Sequence, residues 1–252
     1  KAMLMRAEEP EFGNLILNQR VEAVSPFVSA SVWKENGAEC GPIEGKKVWA
    51  GLDLSSVHDL TSLELVTEDG GVHSEFWLPE VGLAEKSRKD RVPYDLWAKQ
   101  GFLNTTPGRA IEYEFVAESL RGLFDRCDVQ KVAFDRALFV HLRPWLVKAN
   151  FSEEELEKFE PYGQGTLSMT PALRELEVKL LGKQLRHGNH PILEMCAKNA
   201  KVVGDSGARK FDKKKARGRI DGMVALAMAC GVMPIEGTTM PLDDIINNPI
   251  VY

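Results

Sequence analysis

Residues 47–68 read KVWAGLDLSSVHDLTSLELVTE. Val48, Trp49, Ala50 and Leu52 form an apolar run that ends on Asp53, small polar residues follow, and 60–66 begin a second run rich in apolar and β-branched side chains. The pattern predicts a strand that stops at a carboxylate, a turn, and a neighbouring strand. A carboxylate at the end of a core strand loses hydration unless something compensates it, and a metal ion is one compensator. Asp53 can share such an ion only with carboxylates brought to it from elsewhere in the chain.

Outward from this pair, Asp69-Gly70-Gly71 is a hairpin signal and 72–78, VHSEFWL, alternates as a third antiparallel strand. Two short helices are predicted over 83–99, separated at Pro93, and a short strand within 102–111. An amphipathic helix spans 113–127, with Phe115, Val116, Ser119, Leu120, Leu123 and Phe124 on its inner face. Residues 129–137, VQKVAFDRA, form a short apolar strand ending at Asp135, and helices before and after it imply a crossover and parallel pairing.

Acidic 153–160 reads as a solvated stretch. Ser168 or Thr170 is expected to cap a helix running to Leu185, with Pro171 near its first turn. A further helix starts within RHGNHPILEMCAKNA (186–200). The most continuously apolar helix is 220–232, IDGMVALAMACGV, with Asp221 in its first turn, where the positive helix end favours a carboxylate. Ala225 and Ala229 give it an edge small enough to lie close against a sheet.

The chain has 252 residues, 44% hydrophobic and 27% charged, enough to bury a large core. No apolar run has the length of a membrane span and no signal-peptide pattern opens the chain, so a cytoplasmic protein without a membrane partner is expected. Cys40, Cys127, Cys196 and Cys230 are far apart, which fits neither a zinc site nor a disulfide-stapled fold. GPIEGKK (41–47) lacks the spacing and the Ser or Thr of a phosphate loop, excluding an ATP site there.

The net charge of −5 argues against nonspecific coating of nucleic acid, but the charge is uneven. Residues 209–219, RKFDKKKARGR, hold seven basic residues and one acid, +6, which leaves −11 for the rest. Such a run is a solvated surface in many proteins; here its place just before Asp221 favours phosphate contact by Lys210, Lys213, Lys214, Lys215, Arg217 and Arg219.

Asp53, Asp135 and Asp221 thus occupy two strand ends and a helix start, and this topology would gather them at one end of the sheet. Carboxylates without His or Cys suit hard octahedral cations, Mg²⁺ or Mn²⁺. Two such ions about 4 Å apart can activate water and stabilise a leaving oxygen in phosphodiester hydrolysis. Each aspartate also has a plainer reading, as a turn former or helix-start residue. Asp59 reads as a turn former, and His187, Asn189 and His190 as loop residues bonded to backbone.

The series GLDLSSVHDLTSL, VAFDRA, QG before a helix, LRHGNHPILEMCAKNA, a basic stretch and RIDGMVALAMA resembles the nuclease domain of the large terminase subunit of tailed bacteriophages and prophages. The resemblance covers about 48–232; single motifs are weak, and their order and spacing carry it. It implies an RNase H-like α/β fold, a mixed sheet of three antiparallel strands followed by parallel strands and flanked by helices. It further implies a metal-dependent endodeoxyribonuclease that cuts concatemeric phage DNA at the start and end of head filling.

The family's metal-binding carboxylates fall on Asp53, Asp135 and Asp221, and its DNA-contacting hairpin corresponds to about 202–219; in the two-metal hypothesis built on these residues, Asp53 would bridge the ions and Asp135 and Asp221 would each complete one shell. Met195 stands where relatives are expected to carry an aromatic residue. Implied partners are double-stranded DNA, the small terminase subunit, the portal protein and the subunit's own N-terminal ATPase domain. The expected organisation is a lead-in segment at 1–46 following that ATPase domain, a nuclease domain at 47–233 and a tail at 234–252. Two rivals stand beside this reading. One is another RNase H-like nuclease, such as a junction resolvase or recombinase, told apart by preference for branched over linear duplex. The other is a DNA-docking module with structural carboxylates, told apart by a metal titration with a cleavage assay.

Overall fold

In the computed structural model, which describes residues 25–55, 59–205, 207–213, 216 and 218–234, the opening apolar run is a strand ending on its aspartate. The short element expected at 14–21 and the tail beyond 234 lie outside the described residues. Strand β1 (Ser25–Pro26) and helix α1 (Ala30–Glu35) precede β2 (Lys47–Asp53), β3 (Thr61–Thr67) and β4 (Val72–Pro79). Helices α2 (Leu83–Asp90) and α3 (Tyr94–Lys99), strand β5 (Asn104–Thr106) and α4 (Tyr113–Arg126) lead to β6 (Asp128–Phe134). Then come α5 (Arg136–Lys148), α6 (Glu153–Glu157), β7 (Phe159–Pro161), α7 (Thr166–Leu181) and α8 (Pro191–Asn199). A hairpin of β8 (Lys201–Val203) and β9 (Lys210–Phe211) precedes the last described helix, α9 (Asp221–Gly231).

The main sheet has the order β5-β4-β3-β2-β6-β7. Strands β2, β3 and β4 are antiparallel neighbours, β6 runs parallel to β2, and β7 parallel to β6. This is the RNase H-like arrangement of the sequence reading, with β5 added parallel to β4 at one edge. A β-strand sends alternate side chains to opposite faces. Val48, Ala50 and Leu52 enter the core shared with α4 and α5, whereas Trp49 belongs to the core on the other face. Gly51 and Asp53 follow the parity of Trp49 and face α9.

Every residue of α9 from Asp221 to Cys230 is buried, as an all-round apolar helix requires. It reaches the sheet at backbone contact: a Cβ on Gly51 would overlap the carbonyl oxygen of Ala225. Only glycine in β2 allows this approach, and the approach sets how near Asp221 comes to Asp53.

Four expectations change. The buried face of α4 is Tyr113, Val116, Ala117, Leu120 and Leu123; Phe115 and Phe124 lie at its margins, and Ser119 is drawn off to hydrogen-bond the Glu75 carboxylate. The stretch 153–160 is solvated only in part: it holds α6 and the start of β7, which is anchored by buried Phe159 and too short to show a period. Helix α7 starts at Thr166 with Gly165 as its N-cap, because Thr170 uses its hydroxyl to accept from Arg209 N at 2.8 Å; Pro171 lies a turn inside the helix. It ends at Leu181 rather than Leu185, since Gly182 and left-handed Lys183 turn the chain back toward the β3–β4 hairpin.

Residues 25–46 pack on this body. Strand β1 pairs with β8, and Trp33 of α1 stacks on His187 at 4.1 Å between ring centroids. His187 Nε2 lies 2.9 Å from Trp33 O while its Nδ1 accepts from Asn189 N, so this histidine ties α1 to the domain.

Candidate metal and nucleic-acid site

Asp53 is the last residue of the central strand β2 and is 4% exposed. Its Oδ1 accepts from Gln164 Nε2 at 3.1 Å, and its Oδ2 accepts from Lys213 Nζ at 2.9 Å. The same ammonium lies 3.4 Å from Oδ1 of Asp221, the first residue of α9, which is 7% exposed. The second Asp221 oxygen, Oδ2, is buried and has no hydrogen-bond partner among the described residues. Two elements 160 and 8 residues away from Lys213 therefore converge on one cation.

The pKa values of both carboxylates are raised, because burial disfavours the charged form and neighbouring like charges add to it. Burial is the largest push on Asp53, with Lys213 and Gln164 pulling the other way. Asp221 is pushed up to about 6, by burial first and then by Asp53. On Lys213, burial favours the neutral amine, but the two carboxylates together outweigh it and its pKa rises.

A carboxyl whose pKa is raised by folding holds its proton better in the folded state. Its stability contribution is therefore best below the unfolded value, roughly 4, and is lost as pH rises through the folded value. In EDTA, Asp221→Asn is accordingly expected to gain in Tm relative to the parent as pH goes from about 5 to about 8. Thermal melts across that range check the sign, and a difference that is flat or reversed refutes it.

Asp135 stands beside Asp53 in the sheet, one residue beyond the Leu52–Phe134 pair. It is half-buried and caps α5, its Oδ1 accepting from Ala137 N at 3.1 Å. Its charge is felt at Asp53, but no cluster of three or more His, Cys, Asp or Glu placed to hold a metal occurs among the described residues. The structure thus joins Asp53 to Asp221 and leaves Asp135 engaged with its own helix.

Of the basic residues singled out in the sequence, Lys210 is exposed on β9, and Lys214, Lys215 and Arg217 lie outside the described residues. Arg219 is held rather than free: its guanidinium pairs with Asp59 and lies 3.8 Å from Asp90 Oδ2. Asp59 thereby has a partner beyond its turn. Arg209, first of the basic run, is neutralised by Glu177 on α7.

Gln164 was not singled out by its chemistry. Its sequence signals are the QG motif before a helix and the flanking glycines, Gly163 and Gly165, in a loop that Tyr162 anchors by donating to Ser168 O at 3.0 Å. The loop that follows Asp53 is held in turn by Ser55 N donating to Thr61 Oγ1 and Tyr113 Oη donating to Ser55 O.

A family model described as the terminase large subunit, endonuclease domain, matches residues 11–235. The terminase large subunit of Enterobacteria phage HK97 is 43% identical over 258 residues, which cover 99% of this chain and 50% of that protein. The crystal structure of the HK97 bacteriophage large terminase aligns at a TM-score of 0.77 and 44% identity, over 92% of this chain and 48% of that one. The large terminase nuclease of thermophilic phage G20c, crystallised with bound magnesium, aligns at a TM-score of 0.53 over 84% of this chain and 99% of that one. At 12% identity the latter is a likeness of fold. The chain spans half or less of the length of the curated relatives it matches.

Proposed function

Because the chain belongs to the family of terminase large subunit endonuclease domains, we propose that it is a divalent-metal-dependent endodeoxyribonuclease that cuts concatemeric viral double-stranded DNA during genome packaging. The observation that carries this reading is the Lys213 ammonium between the Asp53 and Asp221 carboxylates, a position built to take a cation. The donor set fits a hard ion: carboxylate oxygens, one of them buried and unpartnered among the described residues. Asp53 and Asp221 would hold Mg²⁺ or Mn²⁺, and Asp135, just past the end of the adjacent strand, would serve a second ion. The related G20c fold was crystallised with magnesium, which supports the choice of ion.

Such ions, when bound, supply a Lewis acid at the scissile phosphate and lower the pKa of an attacking water. The remaining work belongs to the chain. Burial of Asp53 and Asp221 keeps the local dielectric low, which strengthens their hold on positive charge. Gln164 fixes the orientation of the Asp53 carboxylate through Oδ1. Lys213, released from the carboxylates, is placed to pair with a phosphate oxygen, and Lys210, Lys214, Lys215 and Arg217 would follow the backbone beside it. Arg219, tied to Asp59 and Asp90, anchors the segment that enters α9.

In this reading the body at 47–233 is the nuclease domain, with 1–46 leading in from an ATPase domain and 234–252 as a tail. The small terminase subunit and the portal protein are its assembly partners, in the host cytoplasm. No helix among the described residues is long and apolar enough to cross a membrane. The direct test incubates the chain with linear and branched duplex DNA in Mg²⁺, Mn²⁺ or EDTA. Cleavage of linear duplex in either metal and none in EDTA is the expected result; strong preference for branched duplex favours a resolvase instead.

Lys213 and a divalent ion compete for the same oxygens. Lys213→Met is therefore expected to tighten Mn²⁺ binding without DNA by roughly 10-fold. Calorimetric titration of Mn²⁺ into parent and variant measures this, and equal or weaker binding by the variant counts against a shared position.

A further inference from the structure

We propose that Arg88, Lys89 and Arg91, at the C-terminal turn of α2, form a second phosphate-binding strip that holds the duplex backbone beside the Asp53–Asp221 site. The inference rests on the nuclease reading and names residues outside the hairpin for it. Its first support is position. Pairing of Asp53 with Ser62 and of Ser62 with Phe76 puts the C-terminal end of β4 at the same end of the sheet as Asp53, and α2 begins four residues after β4 ends.

The far end of α2 returns to the site. Asp90, its last residue, lies 3.8 Å from the guanidinium of Arg219, two residues before Asp221. Tyr94, just beyond the turn, feels the charges of both Asp90 and Asp221.

The second support is charge. Residues 86–91, KSRKDR, carry four basic side chains and one acid. The acid is used inward: Asp90 pairs with Lys86 at 3.1 Å as well as meeting Arg219. Arg88, Lys89 and Arg91 are exposed, and none has an ion-pair partner among the described residues. In a chain whose net charge outside 209–219 is −11, a second basic group, linked to the site through Asp90 and Arg219 and with three exposed members lacking an ion-pair partner among the described residues, fits a polyanion.

The third support is the backbone. Arg91 ends α2 in the left-handed conformation, φ 55°, where glycine is the default. An arginine there carries a steric cost between Cβ and backbone that glycine would avoid. A long cationic side chain at the end of the turn offsets that cost if it meets phosphate.

The test measures binding of a short fluorescent duplex to the 252-residue chain by anisotropy, in Ca²⁺, across a salt series. The triple variant Arg88→Gln, Lys89→Gln, Arg91→Gln is compared with the parent. A control variant, Lys47→Gln, Arg126→Gln, Lys183→Gln, removes the same charge at the opposite end of the sheet. Loss of phosphate contacts lowers the slope of log K against log salt by about 0.9 per contact, so the triple variant is expected to lose about 2–3 from the slope and about 10-fold or more in affinity near 0.1 M salt. The control variant is expected to keep the parental slope. A parental slope in the triple variant, or an equal loss in the control, overturns the strip while leaving the nuclease reading standing if the parent cleaves. A parent that neither binds nor cleaves duplex overturns both.

Discussion

Asp53→Asn is expected to abolish DNA cleavage while leaving the fold intact. The amide is isosteric and still accepts from Gln164 at Oδ1, but where Oδ2 met Lys213 at 2.9 Å the variant either presents an NH₂ to an ammonium or flips and loses Gln164. Either way the site drops from two carboxylates to one. Removal of a single group that stabilises transition-state charge costs on the order of 100- to 1,000-fold in rate, and a shared metal ligand lies at or beyond the upper end. Stability moves little or rises, because a carboxylate that burial holds above its ordinary pKa is replaced by a neutral group. Cleavage in Mn²⁺ and thermal melting in EDTA, on the same preparation, check both halves. The proposed function is falsified if the variant cleaves like the parent, or if the parent cleaves equally well in EDTA.

Gly51→Ala carries the largest expected effect on stability. One methyl group at this position overlaps the carbonyl of Ala225 and crowds the amide of Ala229, both on α9. Neither is the end of a flexible side chain, so α9 or β2 has to move. Overpacking of a core costs about 1–3 kcal/mol where side chains can yield, and a clash between two backbones belongs at or above 3. For a chain of this length that is a fall in Tm of roughly 6–12 °C. Cleavage should fall further than the folded fraction does, since displacement of α9 moves Asp221 away from Asp53. Ala225→Gly in the same chain is expected not to restore either property, because it leaves the carbonyl in place. A Gly51→Ala protein that melts with the parent, or rescue by Ala225→Gly, would contradict the close-packing account.

The centre of this fold was legible because β2 and β3 are buried on both faces. The apolar runs through 48–52 and 63–66 stay readable even though β3 also buries Thr61, Ser62, Glu64 and Thr67, and the turns between β2, β3 and β4 carry their own chemistry. Helix α9 was legible for the same reason, being apolar on every side. What was not legible is short or chosen by tertiary contact. Strands β7, β8 and β9 have two or three residues each and no period to read. Thr170 has the residue type of a cap but spends its hydroxyl on Arg209.

In the site, a carboxylate at a strand end and another at a helix start were visible as a costly pattern. Where a lysine ammonium points was not: charge density marked Lys213 and Arg219 alike as phosphate contacts, yet one lies on the aspartate pair and the other between Asp59 and Asp90. Gln164 was marked only by the QG motif before a helix, which gave it no role, because a single amide in a loop is chemically ordinary until its partner is known.

Asp221 follows Asp53 by 168 residues. A chain emerging from the ribosome holds the antiparallel ribbon of β2, β3 and β4 well before α9, so it owns only one of the paired aspartates until α9 has left the exit tunnel. A fragment cut short before that helix, by premature termination or by proteolysis, has no pair of ligands to share an ion. On the proposed nuclease reading, such a fragment is expected to bind duplex without cutting it.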